Sequence, residues 1–176
     1  MKIPFTIVMI LGLFAGFANA QKAPAWEVFG GYHYAHGVDP WSGHANGFSA
    51  GLQQNVSHWF GGVADIDASF NNSAGIQSSL LTFTGGPQFT YRKGRDIQPF
   101  VRGLVGFATA SSTHGPTDTG FAIGGGGGVD VRMSRSLYFR GKADFIRTSL
   151  FNSTEHYLQT AVGIAYRFGG NAVGMR

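Results

Sequence analysis

The chain has 176 residues, no cysteine, and a formal net charge of +4 that is spread along its length. No basic run marks it for nucleic acid, and without cysteines no disulfide framework holds it together. Charged residues are only 12%, while 28 glycines and 14% aromatics are both high; ordinary soluble domains carry about a quarter charged residues, so the balance argues against a water-soluble globule.

The first twenty residues, MKIPFTIVMILGLFAGFANA, set Lys2 before an apolar run from Ile3 to Phe17 and close on Ala18-Asn19-Ala20. That is the layout of a secretory signal, with small residues at Ala18 and Ala20 for the peptidase and the cut before Gln21. The run falls short of the roughly 20 apolar residues a spanning helix needs. The expected organisation is a signal peptide over 1–20, one domain over 21–169 and a short tail over 170–176.

From residue 21 onward no helical period appears, whereas alternation with period two recurs. It predicts eight strands, over 26–35, 45–56, 59–70, 78–91, 97–109, 119–133, 137–148 and 156–168. In the third, Phe60, Ala64, Ile66, Ala68 and Phe70 oppose Asp65 and Asp67. The sixth contains an unbroken glycine run from Gly124 to Gly128, across which Phe121, Ile123, Val129 and Val131 keep one phase. A linker has no reason to keep phase. A dinucleotide fingerprint is also excluded, because the position that should hold its third glycine is Val129, and no Lys-Ser or Lys-Thr pair closes a phosphate loop. In the seventh strand Leu137, Phe139, Ala143 and Phe145 oppose Arg140, Lys142 and Asp144. In the eighth Leu158, Thr160, Val162, Ile164, Tyr166 and Phe168 share one face, opposite Gln159, Ala161, Gly163, Ala165 and Arg167.

Tight turns are expected near Ser57-His58, residues 92–96 and residues 134–136, and longer loops near 36–41, 71–75, 111–116 and 152–154. Periodicity alone leaves a soluble sandwich open. An even number of long strands with turns sorted by length is instead the pattern of an outer-membrane barrel, whose strands need about 9–11 residues to cross the hydrocarbon. Two aromatic girdles are expected, one from Trp26, Trp59, Phe60, Tyr91, Phe139 and Phe168, the other from Tyr34, Phe48, Phe70, Phe107, Phe121 and Phe151.

Taken in order, Glu27–Tyr34 (EVFGGYHY), Gly85–Arg92 (GGPQFTYR) before a basic turn, Pro99–Gly106 (PFVRGLVG), the glycine run entering Val129-Asp130-Val131, and the final strand resemble a known family. This is the group of small outer-membrane β-barrel proteins of the porin-like, opacity-type and OmpA-like kind, in single-domain form, and the resemblance covers residues 25–169. It implies an all-β, eight-stranded antiparallel up-and-down transmembrane barrel in the outer membrane of a two-membrane, Gram-negative type bacterium. The implied partners are outer-membrane lipid, lipopolysaccharide and, during biogenesis, the barrel-assembly machinery. The final strand also resembles the signal read by that machinery, a glycine followed three and five residues later by apolar or aromatic side chains: Gly163, Tyr166 and Phe168. It departs from the pattern at Ala161, where a polar residue is usual, and in continuing past Phe168 to Arg176.

With the apolar faces turned outward, Glu27, Asp65, Asp67, Arg102, Asp130, Arg132, Arg140, Lys142, Asp144 and Arg167 point into the lumen, together with Phe100 and Tyr138. Gly124, Gly126 and Gly128 point the same way and make room for wider neighbours. A turn centred on Arg135 sets Asp130 opposite Arg140. Buried charges are tolerated when paired and hydrogen-bonded, so a salt-bridge network that fills the barrel is expected. The same charges could line a path for ions or small solutes, but an eight-stranded lumen leaves little space for water, so a plug is the preferred reading.

His33, His36, His44, His114 and His156 are expected near the long-loop end, at spacings that match no metal signature. No metal, cofactor or catalytic residue is expected, and neither is binding to nucleic acid. The favoured function is a structural or surface-interaction role for a monomer that presents loops near 36–44, 71–77, 110–118 and 149–155 to lipopolysaccharide, host or matrix. Two alternatives stand beside it. One is a narrow porin-like channel. The other is an outer-membrane lipid-modifying enzyme, although lipid A deacylase barrels carry histidine two residues before serine and none of the six histidines here has that neighbour.

Overall fold

A computed structural model describes residues 25–39, 44–73, 76–94, 96–112, 117–150 and 153–169. The expected signal peptide, the tail from 170 onward, His114 and Phe151 lie outside them. Eight strands follow in order: β1 (Trp26–Asp39), β2 (His44–Asn55), β3 (Phe60–Ser73), β4 (Ile76–Thr90), β5 (Ile97–Ser112), β6 (Asp118–Arg132), β7 (Leu137–Leu150) and β8 (Ser153–Phe168). Each pairs with the next, and β1 pairs antiparallel with β8 from Trp26↔Phe168 upward, which closes the sheet into a barrel. Closure leaves no unpaired edge, the condition for a sheet to sit in a medium that offers no hydrogen bonds.

The period-two phases place the side chains as the alternation predicts. Val162, Ile164, Tyr166, Phe139 and Phe145 are exposed, and Gln159, Ala165, Arg167, Arg140, Lys142 and Asp144 are buried. The outer wall is therefore apolar around its circumference, with Phe48 at 70%, Val101 at 61% and Phe121 at 57% exposure among many large hydrophobic side chains. Such a surface far exceeds the few hundred Å² of contiguous apolar patch that a soluble monomer exposes.

One expectation holds only in part. Of the four connections predicted to be long, two are consumed by strand, since β3 and β4 remain paired to Ser73↔Ile76 and β7 and β8 to Leu150↔Ser153. The β1–β2 ladder ends at His36↔His44 and the β5–β6 ladder at Ala110↔Asp118, and these leave longer connections where they were expected. The two barrel ends are consequently not cleanly separated by loop length, and most of 71–77 and 149–155 belongs to strands. Asn, Ser and Thr in these stretches read as breakers, yet their backbone groups continue the ladder where no apolar alternation advertises it. The opposite end has the expected compact turns. Ser57 N and Val56 N both donate to the Phe60 carbonyl (2.9 and 3.0 Å), and Ser134 N and Met133 N to that of Leu137 (3.0 and 3.0 Å).

The five glycines of β6 lie in strand, as their phase implies. A Cβ on Gly126 would fall on the Ala143 carbonyl oxygen and on Asp144 Oδ1, and one on Gly128 would come within 2.6 Å of Phe100 Cζ. The bare backbone here makes space for a lumen carboxylate and a lumen ring.

Candidate functional site: the barrel lumen

Inward phase delivers charged and amide side chains from most of the strands to one interior. At the turn end Glu27 on β1 is the hub. It pairs with Arg92 (2.5 Å), Arg140 (2.9 Å) and Arg167 (3.1 Å) and accepts from Asn55 Nδ2 (2.8 Å), at 1% exposure. Asp130 on β6 lies directly opposite Arg140 on β7, accepts from its Nε and Nη2 (2.6 and 2.8 Å), and takes a further bond from Arg167 Nη2 (2.5 Å). The bidentate geometry is the strong form of the arginine–carboxylate contact. Arg167 also donates to Gln98 Oε1 (2.8 Å).

Further along the axis Arg102 on β5 joins Asp144 through Nε (2.8 Å) and Nη2, and Asp65 through Nη1 (2.6 Å). Lys142 reaches Asp65 (3.0 Å) and Asp67 (3.6 Å). Glu27, Asp65, Asp67, Asp130 and Asp144 thus face Arg92, Arg102, Arg140, Lys142 and Arg167, so the ion pairs among the described residues balance in charge. Balance matters because an unmatched ion in this interior would carry the full cost of desolvation.

Aromatic rings fill the gaps between the ions. The Arg167 guanidinium lies 3.6 Å from the Tyr138 centroid, and Arg140 lies 5.0 Å from that of Phe100 and 5.8 Å from that of Phe29. Lys142 Nζ is 5.1 Å from the Phe29 centroid. Stacking of this kind favours the cations where water is excluded. Val63, Leu104, Ala108, Ala122, Ile146 and Tyr157 form a separate apolar cluster inside the wall.

Two expectations need correcting. Arg132 has the inward phase but lies at the barrel rim, where its Nε donates to the Ser134 carbonyl (3.3 Å), so it is outside the cluster of ion pairs. His33 belongs to the lumen and not to a loop-end group of histidines: it is 0% exposed, with Nδ1 3.3 Å from Asp67 Oδ1 and Nε2 3.3 Å from Ser69 Oγ. Its ring crosses β2 at Gly47, whose partners in register are His33 and Ser69.

Sequence reasoning missed Arg92, Gln53, Asn55, Gln88 and Gln98. Gln88 donates to Gln53 Oε1 (2.8 Å), Gln53 to Asn55 Oδ1 (2.8 Å), and Arg92 to Asn55 Oδ1 (2.9 Å) and the His58 carbonyl (2.9 Å). Parity carried the signal. Gln88 and Thr90 hold the inward phase of β4, Arg92 continues it past the last paired residue, and Gln53 and Asn55 share the inward phase of Ser49. Of the candidate assembly residues, Gly163 faces Gly31 at the β1–β8 seam, and Tyr166 and Phe168 project outward with ring centroids 6.0 Å apart.

No family model and no curated relative matches the sequence. Solved structures do match. Neisserial surface protein A (NspA) superposes with a TM-score of 0.70 at 15% identity, covering 83% of this chain and 99% of that one. OprG of Pseudomonas aeruginosa gives 0.59 at 11% identity over 86% and 99%, and the attachment invasion locus protein Ail of Yersinia pestis 0.56 at 15% over 83% and 99%. The fold is that of the small outer-membrane β-barrels. Within that fold the arrangement is inverted relative to a soluble barrel, with ions along the axis and oily side chains on the wall.

Proposed function

We propose that this chain is an integral outer-membrane protein of a Gram-negative type bacterium, working as a monomeric anchored scaffold for surface interaction. One observation carries the reading: the wall is apolar while charge-balanced ion pairs occupy the axis. An apolar wall is stable against lipid and unstable against water. In this reading the ion pairs and stacked rings fill the lumen and the barrel does not conduct.

Lipid and lipopolysaccharide surround the wall in this reading, and Gly163, Tyr166 and Phe168 are read by the assembly machinery. Surface interaction is supported by a neighbour of the same fold, since Ail has been captured in complex with the heparin analogue sucrose octasulfate (TM-score 0.53, 17% identity). A hydrolytic role is disfavoured by burial. Ser69, His33 and Asp67 follow the order of nucleophile, base and orienting carboxylate, but Ser69 is 2% exposed and His33 0%, which leaves a substrate no approach.

The test is refolding of residues 21–176 into detergent or lipid. A closed barrel migrates differently on a gel before and after boiling and gives no stable open current in a planar bilayer. A mature chain that stays soluble and monomeric without detergent would end the membrane reading, and a steady unitary conductance would replace the scaffold with the channel.

A further inference from the structure

At the end of the barrel away from the compact turns, the outer face of β1 and β2 carries two histidines directly opposite one another. His36 and His44 are register partners, both exposed, and Tyr34 lies on the same face of β1. His36 Nδ1 is 3.0 Å from His44 Nδ1, and the Tyr34 hydroxyl is 2.6 Å from that same His44 nitrogen. The His44 ring stacks with both neighbours, at centroid distances of 4.7 Å to His36 and 5.8 Å to Tyr34.

Protons alone serve this cluster poorly. A neutral imidazole nitrogen holds either one hydrogen or one lone pair. His44 Nδ1 has two close partners, so whichever it satisfies, the other must share. Three electron-rich atoms converge where a single cation would satisfy all of them.

We propose that Tyr34, His36 and His44 form an exterior binding site for a divalent ion of the zinc, copper or nickel type. The donor set fixes the class: imidazole suits these borderline ions, whereas calcium and magnesium favour carboxylate and carbonyl oxygen. Two nitrogens on a tetrahedral ion at 2.0–2.1 Å stand about 3.3 Å apart, so the pair opens only slightly to admit one. The rings are nearly parallel, 19° between planes, and their lone pairs converge once each imidazole turns about its terminal torsion. That torsion is broad and roughly two-fold, so it turns at little intrinsic cost. Pairing of the strands holds the two backbones in place, so the ion orders little beyond the rings, and water completes its shell. The outward neighbours change from Tyr32 and Phe48 to Asn46 and then to the histidines, which puts the site on the aqueous side of the apolar belt.

The experiment is titration of the folded protein in detergent micelles with Cu²⁺ as its chloride salt. Binding is followed by calorimetry and by nitrogen hyperfine structure in the electron spin resonance spectrum. One equivalent should bind with nitrogen coupling, and His36→Ala or His44→Ala should each weaken it by at least about tenfold, the low end of what even an outer-shell change costs a metal site. Tyr34→Phe should have a smaller effect, and His58→Ala, an exposed histidine at the opposite end, none. Heat-modifiable gel mobility confirms that each variant is folded. A wild-type barrel that takes up no copper, or uptake undiminished in the His36→Ala/His44→Ala double variant, overturns the assignment.

Discussion

Glu27 shows how one side chain ties the lumen together. It is at the register position opposite Arg167 and receives two further arginines from β7 and the β4–β5 turn. Replacing it by glutamine keeps the volume but leaves Arg140 and Arg167 to share Asp130 and, among the described residues, Arg92 with no ion-paired carboxylate. Removing one member of a buried ion cluster costs about 3–5 kcal/mol, because the partners stay desolvated. Glu27→Gln should therefore lower the urea midpoint of the barrel folded in vesicles by that equivalent, and an unchanged midpoint would mean the arginines find water instead. Ser69→Ala is a useful contrast, since a hydroxyl that only accepts or donates one 3.3 Å contact should cost about 1 kcal/mol in the same assay. Most of these residues were legible from sequence because parity within a strand is a strict geometric rule. Arg132 obeyed the parity and still escaped the cluster, since a long side chain at a strand end can bend to the rim. Arg92 follows directly on the predicted strand 78–91 and reads as part of a basic turn, although outward Phe89 and Tyr91 mark its inward phase.

The strands were legible wherever large apolar residues alternate, and indistinct where they do not. The glycine run of β6 was placed correctly because Phe121 and Ile123 on one side and Val129 and Val131 on the other share a phase. The ends of β3 and β4 that meet at this hairpin read Asn71-Asn72-Ser73 and Ile76-Gln77-Ser78, a sequence with no apolar alternation to distinguish a paired hairpin from a loop. The pairing itself can be checked: amide exchange over Asn71–Ser73 and Ile76–Ser78 should be slowed, as befits a ladder that runs to Ser73↔Ile76, and exchange at loop rates would restore the longer loop. The glycines of β6 make a sharper prediction. A methyl at Gly126 meets backbone at Ala143, whereas one at Gly125 meets nothing nearer than 3.1 Å. Overpacking costs about 1–3 kcal/mol where neighbours cannot yield, so Gly126→Ala should destabilise the folded barrel by that much more than Gly125→Ala in a paired urea titration. Equal effects would indicate that β6 is held less tightly against β7 than its register requires.

For the whole molecule the decisive quantity is orientation, because one closed sheet of the same sequence pattern could in principle face either way. The geometry resolves it through the ions: Arg102, Arg140, Lys142 and Asp144 are buried with partners on other strands, while Val101, Val105, Phe107, Ile123 and Ile164 form the outside. An ionised group placed on that outside therefore reports what the wall touches. Val105 is 49% exposed on the outer face near the middle of β5. In water Val105→Arg would be a neutral or helpful surface change, since it adds solubility and removes no core contact. In a bilayer the same arginine sits near the midplane, where such a charge costs about 2–4 kcal/mol, falling toward zero at the interfaces. Folding into vesicles should show that penalty for Val105→Arg, and a much smaller one for arginine at Asn46, an outward position beyond Phe48 on the polar side of the belt. A depth-dependent cost can arise only if lipid surrounds the wall; equal and negligible costs at both positions would mean that water does.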